Sequence, residues 1–375
     1  MARQIDDRLT RLKNRRTGMD RYDRLDTVQR LETLSRSMTE DRWQRRVSAD
    51  KPHTRYALGA MQEVGDTSTR ISLETAERVG SQLNKGFKAS GRDVEFRLQG
   101  SVPLNVHIRQ YSDVDLLTVD LGFMNYDRDG ARALQGFYFP SSETTLARLM
   151  TLRASAEQIL VDAFPAANVD RSCSKAINIS GGSLPRSVDV VPSCWYDTAQ
   201  WQSPQSEIDR AVKILDKARL ETPSNWPFLH IDRISMRCAT TAGGMRKGIR
   251  LAKSVKCDAG SRIDLSSFDI AGLIYHADRN GLIAGAFFEL AILAEVQWWF
   301  DYLYRNPDYA RSLVTPDGSR QILNTQAKVA ALGQLSIELD DLLRNVAREQ
   351  AGALSANDLS TGREAISKVY IADAA

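Results

Sequence analysis

GSVPLNVHIRQYSDVDLL, Gly100–Leu117, opens with a Gly-Ser pair and closes with Asp-Val-Asp running into an apolar tract. DVDLLTVDL alternates and is rich in β-formers, which predicts a strand, and DVEFRLQG ahead of the Gly-Ser predicts another. Side chains at i and i+2 share a strand face, so Asp113 and Asp115 project together. Two like charges so close raise each other's pKa unless a cation lies between them. Mg²⁺ is suited to the task, because it takes oxygen ligands and is held by one or two carboxylates plus substrate phosphates. Gly100 lets backbone approach a phosphate. Ser101 adds a hydroxyl donor, and successive N–H groups in such a turn form an anion nest.

SVDVVPS supplies a third carboxylate, Asp189, in the middle of an apolar β run. An unpartnered carboxylate is costly there, while Val188 and Val190 would pack on the opposite side. If this strand lies beside DVDLL, three carboxylates converge. That set suffices for two metals about 3.5–4 Å apart, the arrangement that steadies attacking and leaving oxygens in phosphoryl transfer.

Working outward, Ser72-Leu-Glu-Thr-Ala-Glu starts a helix that ends near Ser90-Gly91, and SSETTLARLMTLRASAEQILVDAF is a second helix with Ser caps. AINIS and SVDVVPS are strands on either side of SGGSLPR, and Pro192 should end the later one. The Arg-rich residues 1–45 carry Leu25, Val28, Leu31 and Leu34 near helical spacing, which predicts a helix with a solvated face. Beyond about residue 204 the chain reads as helical, over 205–219, 228–240, 242–257, 266–278, 282–305 and 325–348. From Gly352 on it reads as a weakly anchored tail. The expected order is an α/β lobe followed by a helical lobe. The expected segments are 1–54 (N-terminal helices packing on the core), 55–204 (core), 205–350 (helical lobe) and 351–375 (tail).

Composition sets bounds on function. The 375 residues are 42% hydrophobic and 26% charged, as in a soluble globular protein. The net charge of +3 is too mild to demand nucleic acid. Cys173, Cys194, Cys238 and Cys257 are scattered without a CxxC, which argues against a zinc site or a disulfide framework. The N-terminus lacks the apolar region of a signal peptide. LIAGAFFELAILAEVQWWF carries Glu289 and Glu295, so a buried helix is expected rather than a membrane span. A cytoplasmic location and no membrane partner follow as expectations.

The pattern GS…SDVDLL…VDVVP resembles the polymerase-β-like nucleotidyltransferase superfamily. Within it, the bacterial cGAS/DncV-like nucleotidyltransferases (CD-NTases) of anti-phage CBASS systems fit best. The resemblance implies the α+β class: a nucleotidyltransferase core (a mixed β-sheet with helices) followed by an all-helical lobe, with the active site in the cleft between them. It implies that Gly100 and Ser101 hold the donor triphosphate. It also implies that Asp113 and Asp115 bind two Mg²⁺ (or Mn²⁺) and that Asp189 completes the second metal site. MRKGIRLAKSVK, Met245–Lys256, places Arg246, Arg250 and Lys253 on one helix face. Lys253, Ser267 and Phe268 match a family set in which Lys and Ser grip the triphosphate and an aromatic stacks on the base; Phe stands where the family has Tyr. The implied activity makes a cyclic di- or trinucleotide from NTPs such as ATP and GTP, and the product activates a separate effector. Acceptor-side candidates are His107, Arg109, Gln110, Trp195 and Tyr196. A ligase that conjugates the C-terminus KVYIADAA is a further implied partner, while the absence of a zinc-finger Cys/His cluster argues against DNA sensing. Two other readings stay open: a terminal nucleotidyltransferase acting on RNA, a small molecule or a protein, and a non-catalytic nucleotide-binding module.

Overall fold

The computed structural model describes residues 4–19, 30, 34, 41–108 and 112–373. Helices α1 (Ile5–Thr17), α2 (Pro52–Met61) and α3 (Asp66–Ala89) precede strands β1 (Val94–Gln99) and β2 (Val114–Tyr126). Helix α4 (Thr145–Ala163) leads to β3 (Asn168–Asp170), β4 (Ile177–Gly181), β5 (Leu184–Asp197), β6 (Ala211–Ile214) and β7 (Ser224–Asn225). The helices that follow include α5 (Pro227–Thr240), α6 (Gly244–Asp258), α7 (Ser267–Tyr275), α8 (Arg279–Ala284), α9 (Ala291–Arg305), α10 (Gln326–Ala351) and α11 (Leu359–Ser367).

The chain forms two compact units. One comprises Gly65–Leu104 and Ser112–Arg233. Its sheet runs β1-β2-β5-β4-β3, with β6 on β5 and β7 on β6. Only β2 and β5 pair in parallel among the described residues. Strand alternation sorts the side chains into two layers. Val114, Leu116, Val188, Val190 and Cys194 join Val79, Leu83 and Phe87 of α3 and Leu149, Leu152 and Leu160 of α4 in the main core. Leu117, Val119, Val191 and Trp195 occupy the other face with Val212 of β6.

Three strand and helix expectations of this unit are corrected. Helix α3 starts at Asp66 rather than Ser72, because Ser72 Oγ donates to the Ser68 carbonyl 3.1 Å away and so is accommodated inside the helix. Residues 205–219 are not a helix. The second half of β5 extends beyond β4, and Ala211–Ile214 pairs with Ser193–Tyr196 there, burying Val212 opposite Trp195. Pro192 does not end β5. It falls between the last β4 pair, at Val190, and the first β6 pair, at Ser193, where a missing N–H costs no ladder bond on that side.

The other unit comprises Met1–Val64, Asn105–Tyr111 and Ile234–Ala375. The described N-terminal helices fall in this unit. Helix α1 packs on α2, and α2 packs on α6 and α10. Arg15 holds Asp258 of α6 through two bonds, one of 2.7 Å. Leu25, Val28 and Leu31 lie outside the described residues. The expected helix 282–305 is two helices with a bend at Gly285–Leu290. The bend places Glu289 against Lys247 (2.9 Å) and Arg46 (2.5 Å). The C-terminal residues are not loosely held either. Ile366 of α11 is fully buried, and Arg46 donates to the carbonyls of Ile371 and Ala372, each at 3.1 Å. No helix among the described residues is long and apolar enough to cross a membrane, and all four cysteines are free thiols.

Candidate active site on the sheet

The parallel ladder sets Asp115 of β2 directly opposite Asp189 of β5. Adjacent strands lie about 4.8 Å apart, so the two carboxylates start from neighbouring backbone positions. Asp113 precedes the strand by one residue and shares the parity of Asp115. All three belong to the sheet face that carries Leu117 and Val191, away from α3 and α4.

The Gly-Ser turn arrives at the same place. Gln99, the last residue of β1, pairs with Asp115, so the chain leaves β1 beside that carboxylate. Gly100 has φ +78°, and a Cβ built on it would run into Asp115 Oδ2. Only glycine satisfies both demands. Ser101 follows in the turn and is half-buried.

Two residues that the sequence reading missed complete the arrangement. Ser187 Oγ donates to Asp113 Oδ1. Asn178 of β4, opposite Asp189 in the ladder, donates from Nδ2 to Asp189 Oδ1 at 2.8 Å. The available signal was parity, because Asn178 is the polar residue between buried Ile177 and Ile179 and shares the face of Asp189. Neither Asp113 nor Asp189 has an ion-pair partner among the described residues; the donors they receive are neutral. Burial pushes the Asp189 carboxyl up from its ordinary range, the Asn178 amide opposes this, and the Asp113 charge adds to the rise.

A divalent cation fits this chemistry, because the donors are hard oxygens and the half-buried Asp189 has no counter-charge among the described residues. Among the described residues, no three His, Cys, Asp or Glu side chains are already drawn to metal-holding spacing.

The remaining candidates belong to the other unit or to the far end of β5. Lys253 is 2% exposed and donates from Nζ to the Val106 carbonyl at 2.8 Å. Arg250, one turn earlier, donates to the carbonyls of Met61 and Asn105, both at 2.7 Å. Burial lowers the Arg250 guanidinium to about 10. This face of α6 thus holds the segment before DVD rather than forming a solvated basic stripe. Ser267 is exposed in the first turn of α7, behind the cap Ser266, whose Oγ accepts from Asp269 N at 3.0 Å. Phe268 has the Arg320 guanidinium 5.3 Å from its ring centre. His107 is buried, and Arg109 and Gln110 lie outside the described residues. Trp195 and Tyr196 are not brought to the aspartates. Trp195 is six residues along β5 from Asp189 (195 − 189), about 20 Å at strand rise. It is buried and donates to Glu95 Oε1 at 2.5 Å, while Tyr196 Oη donates to Asp127.

No family model matches the chain. It is 41% identical over 361 residues to a cyclic dinucleotide synthase CdnE of Yersinia aleksiciae, spanning 92% of this chain and 93% of that protein. It is 31% identical over 289 residues to a c-di-GMP synthase of Capnocytophaga granulosa, spanning 72% and 80% respectively. The solved structure of the STING-associated CdnE c-di-GMP synthase from Capnocytophaga granulosa superposes with a TM-score of 0.69 at 26% identity, covering 92% of this chain and 100% of that one. A STING-associated CdnE c-di-GMP synthase from Flavobacteriaceae shares the fold, with a TM-score of 0.65 at 21% identity over 79% of this chain and 87% of that one. With a mixed sheet bearing helices, a helical C-terminal region and these relatives across most of its length, the chain belongs to the CdnE-type cyclic dinucleotide synthases of the CD-NTase family and is a nucleotidyltransferase.

Proposed function

We propose that Asp113, Asp115 and Asp189 hold two Mg²⁺, replaceable by Mn²⁺, and that the chain joins two NTPs into a cyclic dinucleotide at this place. The observation that carries the reading is the Asp115–Asp189 pair across the parallel ladder, with Gly100 seated against Asp115. When bound, the ions would neutralise phosphate charge and lower the pKa of the attacking ribose hydroxyl. The chain's own residues set the geometry. Gly100 leaves room for backbone N–H groups to meet the triphosphate, and Ser101 adds its hydroxyl. Asn178 and Ser187 orient Asp189 and Asp113 through neutral hydrogen bonds, leaving their negative charge for a cation. Ser267 and Phe268 keep their proposed roles as triphosphate and base contacts. Lys253 is proposed to serve the triphosphate while anchoring Val106.

The relatives named c-di-GMP synthase make GTP the first substrate to test, with ATP alongside it. A STING-type receptor is the proposed effector class, from the STING-associated relative. The test is incubation with each labelled NTP and Mg²⁺ or Mn²⁺, then phosphatase, chromatography and mass spectrometry. A phosphatase-resistant dinucleotide that is lost in Asp113→Asn/Asp115→Asn supports the proposal. Label transferred only to added RNA or protein would replace it with a terminal-transferase reading.

A further inference from the structure

Glu289 and Glu295 both interrupt the apolar tract before and within α9, yet only one is neutralised. Glu289 has Lys247 and Arg46 within 2.9 Å and 2.5 Å, and their charges hold its carboxyl below the ordinary range despite burial. Glu295 has no ion-pair partner among the described residues. It accepts one backbone bond, from Asp278 N at 3.1 Å. Burial pushes its carboxyl up to about 7, with the Asp278 charge adding to the rise and Arg363 opposing it.

Glu295 lines an open groove of about 380 Å³ formed by α8, α9 and α11 on the surface of the helical unit. That volume lies within the roughly 300–1,000 Å³ of small-molecule sites. On α9, Ala291, Ala294, Glu295 and Trp298 follow one another at i, i+3, i+4 and i+7, so a single helix face supplies small residues, a carboxylate and an indole. Trp298 is 38% exposed, and its ring is steadied by stacking on Tyr302 at 5.6 Å. The charged groups facing Glu295 are Asp278 at the start of α8 and Arg363 and Glu364 on α11. Three carboxylates against one guanidinium leave the groove negative. Arg363 also donates to Gln297 Oε1 at 2.8 Å.

We propose that this groove binds a small organic cation with a flat apolar body, its amidinium or ammonium on Glu295 and its body against Trp298. A bidentate N–H pair suits a carboxylate, and an indole face attracts a cation or a stacked ring. The site is separate from the sheet carboxylates and does not depend on the reading given to them.

Benzamidine is the probe, with benzamide as its neutral isostere. Binding to the full-length protein is followed by calorimetry and tryptophan fluorescence at pH 8. Benzamidine is expected to bind at least tenfold more tightly than benzamide. Glu295→Gln should remove that preference, and Trp298→Ala should weaken binding while Glu295 stays intact. Affinity should fall as the pH drops from 8 to 5.5, because Glu295 takes up a proton. Equal affinity for both compounds, or benzamidine binding unchanged in Glu295→Gln, would overturn the proposal. Folding of each variant is checked by circular dichroism. If Trp298→Ala does not fold, Trp298→Leu provides the same comparison.

Discussion

Three buried carboxylates of the helical unit and the half-buried Asp113 and Asp189 of the sheet's polar face are treated in opposite ways. Asp258 has Arg11 and Arg15, Asp269 has Arg320 and Lys328, and Glu289 has Arg46 and Lys247. Even on β2 itself, fully buried Asp120 is matched by Arg148 at 2.8 Å and Arg92 at 3.7 Å. Asp113 and Asp189 receive only a serine hydroxyl and an asparagine amide. A buried charge kept for structure comes with its counter-charge, because breaking such a pair costs about 3–5 kcal/mol. Asp113 and Asp189, with neutral donors alone, keep the negative charge that the proposed metal site would use.

The sharpest test of this contrast replaces one carboxylate of each kind. Asp189→Asn is expected to lower dinucleotide synthesis about 10³-fold or more, since each 1.36 kcal/mol is a decade in rate and metal stabilisation is worth several kcal/mol. Its Tm without metal should hold or rise, because a poorly compensated charge has been removed. Asp258→Asn should do the reverse. It strands Arg15 and the Tyr56 hydroxyl, whose bond to Asp258 is 2.9 Å, and should cost about 3 kcal/mol in denaturant unfolding. If Asp189→Asn destabilises as much as Asp258→Asn, the contrast fails.

A smaller effect probes the neutral donors. Asn178→Ala should weaken Mn²⁺ binding about 10–100-fold, measured by paramagnetic resonance on the metal alone, with little change in Tm. Unchanged Mn²⁺ affinity would leave Asn178 as a strand residue without a part in metal binding.

The smallest effect concerns pH. The folded-state pKa of Glu295 is raised from 4.5 to about 7, so its charged form weakens the fold. The penalty is absent below the ordinary value, grows between pH 4.5 and about 7, and is constant above that. The Tm advantage of Glu295→Gln over the parent should follow the same course. An advantage independent of pH would point to packing rather than charge.

The site's α/β half was legible because strand parity is local. DVD fixes two carboxylates on one face, and SVDVVPS fixes Asp189 opposite to Val188 and Val190. The helical candidates were less so. Lys253 and Arg250 have the spacing of a basic stripe, yet both bury their charged ends against backbone carbonyls of Asn105, Val106 and Met61. Spacing along one helix says nothing about which segment will cover it. The same limit explains 205–219, where propensity favoured a helix and an unpaired stretch of β5 decided for a strand.

Sequence alone therefore determined an α/β stretch followed by a helical one, the strands carrying the aspartates and the Gly-Ser turn, because alternation and turn chemistry act within a few residues. Only the tertiary structure decided the parallel register that sets Asp115 against Asp189, the continuation of β5 through Pro192 and the pairing of Glu289 but not Glu295. These depend on which distant segments meet, and the free energy of such contacts comes from burial and counter-charge that no local pattern encodes.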